Sequence, residues 1–98
     1  MNESELQNAV KIAAKHLGFE VYHTHYSIGS DPGFPDLHII GHGRQFVFEF
    51  KGPRGKVSPA QERWIAAYRA VGVDARIVWP ADYDTVISEL MQAYEEAA

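Results

Sequence analysis

The chain has 98 residues, of which 46% are hydrophobic, and this length and composition allow one compact domain with a single core. We therefore expect residues 1–98 to form a single domain. The absence of cysteine excludes disulfide bonds, zinc–thiolate sites and thiol catalysis. With 9 Lys and Arg against 13 Asp and Glu, the formal net charge is −4, which argues against a nonspecific nucleic-acid-binding surface.

The sequence also lacks membrane and export signals. Its first residues are polar and acidic, and no apolar stretch approaches the roughly 18 to 20 residues that span a bilayer. We expect a cytoplasmic protein without a membrane partner.

The first predicted element is an amphipathic helix over residues 3–17, followed by the stop signal Gly18. Its apolar side chains recur at helical spacing, at Leu6, Val10, Ala13, Ala14 and Leu17. The aromatic and β-branched segment 19–26 predicts a strand, and segment 27–34, with its Gly, Pro and Asp, predicts a loop. Segments 35–41 and 44–51 predict two strands joined as a short antiparallel hairpin.

A second helix is predicted to begin at the sequence SPAQ. Ser58 is its N-cap, Pro59 takes the first helical position and Gln61 the capping-box position, and the helix stops at Gly72. Segment 73–80 predicts a fourth strand and segment 82–96 a last helix. The apolar face of that helix comprises Val86, Ile87, Leu90, Met91 and Tyr94.

The predicted element order is α-β-β-β-α-β-α. The strand, helix and strand between residues 44 and 79 can supply a crossover between parallel neighbours. The sequence therefore predicts an α/β fold with a mixed four-stranded sheet flanked by helices.

Alternation along the two hairpin strands gathers Asp36, Glu49 and Lys51 on one face, near one edge of the sheet. Three phenylalanines lie behind them on the other face, at Phe46, Phe48 and Phe50. Two close carboxylates are costly unless a cation neutralises them, and oxygen ligands of this kind suit Mg²⁺ or Mn²⁺. A lysine beside the metal can orient water and offset charge on phosphate. The structural alternative is a turn aspartate and a solvated strand face.

The combination of Pro35-Asp36, 12 intervening residues and Glu49-Phe50-Lys51 resembles the PD-(D/E)XK nuclease superfamily. More narrowly, GFPDL at 33–37, EFK at 49–51 and VSPAQERW at 57–64, in that order on a chain that begins with a helix, resemble the VRR-NUC (virus-type replication-repair nuclease) family. The resemblance extends over essentially the whole chain. It implies a restriction-endonuclease-like core.

The resemblance also implies roles for individual residues. Asp36 and Glu49 would bind the metal with the backbone carbonyl of Phe50, Lys51 would be the catalytic lysine, and Gln61 would point at the site from its helix. A glutamate of the first helix would lie near the metal. Glu3 is preferred because it falls on the inward side with Leu6, whereas Glu5 turns toward solvent.

Other polar residues near this site have competing interpretations. Arg54, Lys56 and Arg63 suit phosphate contacts but equally an ordinary basic surface. His38 is a candidate substrate contact. A histidine metal site involving His23 and His25 is a weaker alternative, because spacing fixes no third ligand. Four aromatic residues could stack on bases, although their placement favours core packing, namely Trp64, Tyr68, Trp79 and Tyr94.

The resemblance implies a Mg²⁺- or Mn²⁺-dependent DNA endonuclease, structure-selective for flaps or branched junctions, in DNA repair, recombination or phage replication. Water would hydrolyse the phosphodiester without a covalent enzyme intermediate. The small surface of the domain and the two opposed cuts of junction resolution favour a homodimer. A noncatalytic nucleic-acid-binding or assembly module that retains the fold is the alternative, and an unrelated small α/β interaction protein is a third.

Overall fold

Residues 1–25 and 31–98 are described by a computed structural model of the chain. The first helix, α1 (Glu3–His16), starts at a reciprocal capping box. The Glu5 N–H donates to the Asn2 side chain over 2.8 Å, and the Asn2 N–H donates to the Glu5 carboxylate over 2.9 Å. The buried stripe of α1 confirms the predicted helix and consists of Leu6, Val10 and Ala14.

The four strands are β1 (Glu20–His23), β2 (Leu37–Gly41), β3 (Arg44–Phe50) and β4 (Asp74–Val78). They form one sheet in the order β1-β2-β3-β4. The first three strands pair antiparallel, and β3 pairs parallel with β4. The predicted hairpin and the predicted mixed four-stranded sheet are both confirmed.

The remaining helices are α2 (Pro59–Ala70) and α3 (Tyr83–Ala97). As predicted, α2 follows the N-cap Ser58 with Pro at its start. A short 3-10 turn (Pro80–Asp82) precedes α3, so the last helix begins after Asp82 rather than at it. The Asp82 carboxylate accepts the Trp79 N–H over 2.8 Å and thereby fixes this turn.

The sheet has a helix layer on each face. The larger core lies between the sheet and the helices α1 and α3, and contains Leu6, Val10, Leu37, Ile39, Phe46, Phe48, Phe50, Val86 and Leu90. The smaller core lies under α2 and consists of Val47, Ile65 and Ala75. Because successive side chains of β3 alternate, Glu49 shares the α2 face with Val47.

Three sequence predictions need correction. The first strand is shorter than predicted, since Thr24 and His25 follow it and Tyr26, like the loop residues 27–30, lies outside the described residues. Asp36 directly precedes β2 instead of belonging to it. Met91 and Tyr94 are 45% and 46% exposed, because the α3 face that packs on the sheet comprises Val86, Leu90 and Ala93.

Within residues 1–25 and 31–98, the structure contains no helix that is both long enough and apolar enough to cross a membrane.

A charged network joins β4 to α3 at the edge of the larger core. The Arg76 guanidinium donates to both Asp74 oxygens, over 2.8 and 2.9 Å, and to the Glu89 carboxylate on α3. The hydrogen bonds from Arg76 hold the pKa of Asp74 below its ordinary value. A carboxylate whose pKa is lowered by folding stabilises the folded state above its unfolded pKa, and this contribution is lost as the pH falls through the folded value.

We expect Asp74→Asn to lower the free energy of unfolding by about 1 kcal/mol at pH 7, because the pair is partly exposed and screened by solvent. Below the folded pKa of Asp74 the variant and the parent protein should converge. Urea denaturation at several pH values measures this difference. The matched control is Glu20→Gln, a neutralised acid that is exposed on β1. An equal effect of the two substitutions would contradict a specific role for the network.

Candidate active site

Asp36 is fixed between β1 and the end of β3. Thr24, which follows β1, donates its N–H to the Asp36 carbonyl over 2.9 Å and its hydroxyl to the Pro35 carbonyl over 2.7 Å. The Asp36 carboxylate accepts the Phe50 N–H over 2.8 Å. These bonds hold the carboxylate at the end of β3 and explain why it lies near Glu49 although it precedes β2.

Glu49 is a buried acid, only 4% exposed, on the α2 face of β3. Burial and, after it, the neighbouring Asp36 carboxylate raise the pKa of Glu49 from an ordinary 4.5 to about 8. The positive charge of Lys51 acts in the opposite direction, and the negative charge of Glu3 adds a smaller upward effect. Without a bound cation, Glu49 therefore holds a proton at neutral pH.

Gln61 links Glu49 to the start of α2. The side-chain carbonyl of Gln61 accepts the Ser58 backbone N–H over 2.9 Å, and the backbone N–H of Gln61 donates to the Ser58 hydroxyl over 3.1 Å. The amide nitrogen of the same side chain then donates to the Glu49 carboxylate over 3.1 Å. The capping box fixes which end of the amide faces Glu49.

Lys51 follows β3 and is only 8% exposed. Its N–H donates to the Val78 carbonyl over 3.0 Å, which extends the pairing with β4 by one residue. A Cβ on Gly55 would lie 3.1 Å from Cδ of Lys51, so the loop packs against the lysine stem. Asp36, Glu49, Lys51 and Gln61 therefore meet at the end of β3, as the sequence predicts.

The two glutamates of α1 differ in their contacts. Glu5 is occupied by the capping box at Asn2. The backbone of Glu3 lies beside Gly52, where an added Cβ would approach the Glu3 nitrogen to 3.4 Å. Glu3 also contributes to the raised pKa of Glu49. Of the two α1 acids, Glu3 is therefore the one whose negative charge acts on Glu49.

The donor set fits a hard cation that keeps water ligands. Two carboxylates, from Asp36 and Glu49, share one site and are held together against their mutual repulsion, a cost that a cation would relieve. Among the described residues, no group of three or more His, Asp or Glu side chains is arranged so that it could hold a metal ion. The histidine alternative gains no support, since the rings of His23 and His25 lie 5.0 Å apart without such a third ligand in those residues.

An open cleft of about 650 Å³ lies in front of the two carboxylates. One wall of this cleft packs against the start of α2 at Gly33, which has φ +81°. A Cβ there would lie 2.4 Å from the Ala60 carbonyl carbon and 2.6 Å from the Gln61 nitrogen, so only glycine fits. The residues that line the cleft are Tyr22, Thr24, His25, Asp31, Gly33, Phe34, Asp36, Glu49, Ser58, Gln61 and Trp64.

The aromatic part of this cleft was not predicted from the sequence. Phe34 received no role from the sequence, and Trp64 was expected in the core, yet both line the cleft. His38 lies behind Phe34. Its ring stacks on the Phe34 ring, and its Nε2 shares a 2.9 Å hydrogen bond with the Tyr68 hydroxyl. Burial lowers the pKa of His38. Phe34 lies two residues before Asp36 in the motif GFPDL, and this proximity was the one sequence feature that could have placed Phe34 near the site.

The predicted basic contacts lie at the periphery. Arg54 and Lys56 are exposed on the loop after Lys51. Arg63 is exposed on α2 and lines a shallow groove beside Trp64 rather than the cleft. The described residues of the cleft wall include no lysine or arginine. Phosphate contacts by these three residues would have to occur outside the cleft.

Comparisons with known proteins give a single family. The model of the VRR-NUC domain matches residues 2–79. A solved structure titled VRR_NUC domain is 26% identical, with a TM-score of 0.70 and coverage of 92% of this chain and 94% of the other. A second, titled VRR_NUC domain protein, is 25% identical, with a TM-score of 0.71 and coverage of 100% of this chain and 91% of the other. No curated protein matches the chain. The chain belongs to the VRR-NUC domain family and has its nuclease-type fold.

Proposed function

We propose that the protein is a Mg²⁺- or Mn²⁺-dependent DNA endonuclease. The observation that supports this function is the pairing of Asp36 with the buried Glu49 on the wall of an open cleft, with the buried Lys51 beside Glu49. A protein that only binds nucleic acid gains nothing from two carboxylates held against each other, where phosphate would approach. The net charge of −4 favours the third alternative, an unrelated small α/β interaction protein, but it describes the whole surface and not this site.

In this proposal Asp36 and Glu49 would hold the metal, and the Phe50 carbonyl and Glu3 would be further ligands. The metal would supply a Lewis acid for the scissile phosphate. Asp36 is positioned by the Phe50 N–H and Glu49 by the Gln61 amide, so neither carboxylate has to reorganise when substrate arrives.

Lys51 has a separate task from the two acids. Its ammonium orients the attacking water and offsets negative charge on the phosphate in the transition state. The water oxygen loses a proton to solvent and bonds to phosphorus as the bridging P–O bond breaks, and the departing oxygen takes up a proton from solvent to become a hydroxyl. The loop around Gly55 keeps the lysine stem in place for this step.

We further propose that the substrate is a flap or branched junction formed during repair, recombination or phage replication in the cytoplasm. Exposed Arg54, Lys56 and Arg63 would contact phosphates on either side of the cut, with His38 supporting the cleft wall. A domain of 98 residues covers little duplex, so two copies acting as a homodimer would make the opposed cuts. Paired symmetric cuts by a protein that sediments as a monomer would contradict the homodimer.

We expect Lys51→Ala to lower the rate of metal-dependent DNA cleavage by on the order of 10² to 10³, the usual cost of removing a group that stabilises transition-state charge. The assay uses labelled flap, junction, single-stranded and duplex DNA with Mg²⁺, Mn²⁺ or EDTA. The control is Lys15→Ala, which removes an exposed lysine from the far end of α1. Cleavage that persists in EDTA, or that survives Lys51→Ala, would refute the mechanism.

We expect Glu49→Gln to stabilise the metal-free protein, and increasingly so as the pH rises. The raised pKa means that the folded chain binds a proton more tightly than the unfolded chain, so stability is lost between about pH 4.5 and pH 8. Glutamine cannot ionise and still accepts a bond from Gln61. Thermal melting in EDTA from pH 5 to pH 8.5 tests this, with exposed Glu20→Gln as control. A stability gain that is independent of pH would contradict it.

Substitutions of Glu3 and Glu5 should have different effects on metal binding and on stability. Glu3→Gln should weaken Mn²⁺ binding and cleavage with little change in stability, because its side chain is exposed beside the site. Glu5→Ala should lower the free energy of unfolding by about 0.5 to 1 kcal/mol through loss of the capping box, and leave Mn²⁺ binding intact. Isothermal titration with Mn²⁺ and urea denaturation distinguish the two. The opposite pattern would assign the metal role to Glu5.

A further inference from the structure

Three aromatic side chains line the same cleft as the two carboxylates. Tyr22 projects from β1, Phe34 lies two residues before Asp36, and Trp64 lies one helical turn after Gln61. We call these three residues the aromatic wall. None of them belongs to either hydrophobic core or to the partly buried residues that pack against it. Core packing therefore does not explain them.

Two rings of the aromatic wall, those of Phe34 and Trp64, are held in place by neighbouring residues. Phe34 stacks on His38, with centroids 5.0 Å apart and planes 18° apart, and Trp64 meets Phe34 edge-on at 4.9 Å. The Tyr68 hydroxyl holds His38, and the Trp64 indole N–H donates to the Pro32 carbonyl over 3.2 Å. These contacts fix the orientation of both rings before any ligand arrives. A preorganised aromatic surface loses little entropy when a flat ligand stacks on it.

The composition of the cleft restricts what can bind there. Its described lining includes no lysine or arginine, so a nucleotide inside it would gain no affinity from basic contacts to phosphate. Stacking on aromatic rings is the remaining source of affinity that tolerates any base. The bases of a continuous duplex are already stacked on both faces and would have to be unstacked and unpaired first, so the cleft favours a base that is already unpaired. A volume of about 650 Å³ is within the range of small-molecule sites and accommodates one nucleotide.

We propose that the aromatic wall binds one unpaired base of DNA next to the phosphodiester that is cut. Two residues of extended chain reach at most about 7 Å, so a base on Phe34 and a phosphate at Asp36 can belong to the same or adjacent nucleotides. This inference rests on the proposed nuclease function and narrows its substrate to DNA that is single-stranded at the cut. Flap bases and junction branch points meet that requirement, whereas a continuous duplex does not.

The first test measures stacking directly and does not depend on cleavage. The chain has 2 tryptophans, so Trp79→Phe leaves Trp64 as the sole indole fluorophore. With Ca²⁺ in place of Mg²⁺, a thymidine oligonucleotide should quench Trp64 fluorescence, and an abasic oligonucleotide of equal length and charge should not. Equal quenching by both oligonucleotides, or quenching by neither, would overturn the proposal.

The second test measures specificity with matched variants. Phe34→Leu and Trp64→Leu should each weaken binding of single-stranded DNA by about 5- to 150-fold, the range expected for one lost stacking contact, and leave duplex binding unchanged. Phe34→Tyr should retain binding, because it keeps the ring. Tyr94→Leu is the control, since Tyr94 is an exposed aromatic on α3. Equal losses on single-stranded and duplex DNA would overturn the proposal.

The two proposals can fail separately. Metal-dependent cleavage without base-dependent quenching of Trp64 would retain the nuclease and reject the base site. Base-dependent quenching without cleavage would retain the base site and reject the nuclease. If Phe34→Leu does not fold, the quenching test still decides, because it uses the intact aromatic wall.

Discussion

The candidate active site depends on the burial of Glu49 beside Asp36 at the end of β3. Burial and, after it, the neighbouring Asp36 carboxylate raise the pKa of Glu49. The fold tolerates the pair because each acid has a neutral donor, the Phe50 N–H for Asp36 and the Gln61 amide for Glu49. Lys51 adds partial charge compensation. Such a site carries an electrostatic cost that a proton or a bound cation would relieve.

The sheet and α2 together determine the shape of this site. Alternation on β3 places Glu49 toward α2 and its phenylalanine neighbours in the opposite core, so the helix that covers Val47 also delivers Gln61. Gly33 allows the segment before β2 to touch the first turn of α2. That contact brings Phe34 and Trp64 onto one wall. The acidic and aromatic parts of the cleft therefore have a common structural origin.

Much of this arrangement could be predicted from local sequence rules. Period-2 alternation separates Glu49 from the phenylalanines without knowledge of the tertiary structure, and SPAQ specifies its own helix start. The role of Glu5 was also available, because Asn2 and Glu5 have the spacing of a capping box. The aromatic wall was not predictable in this way, since Phe34 and Trp64 are 30 residues apart and meet only through packing. Helical spacing likewise does not determine which residues of the apolar side of α3 contact the sheet. Met91 and Tyr94 were predicted on that face, but they are exposed.

Gln61 has a consequence for which sequences this site can accept. A capping box is satisfied equally well by glutamate or glutamine, so helix stability alone would permit either residue at this position. A glutamate, however, could not donate to Glu49 and would bring another negative charge to a site that already holds two acids. The negative charge of Glu49, on β3, thus selects glutamine over glutamate at position 61 of α2. Helix initiation and site electrostatics select one amino acid jointly, and neither requirement alone would do so.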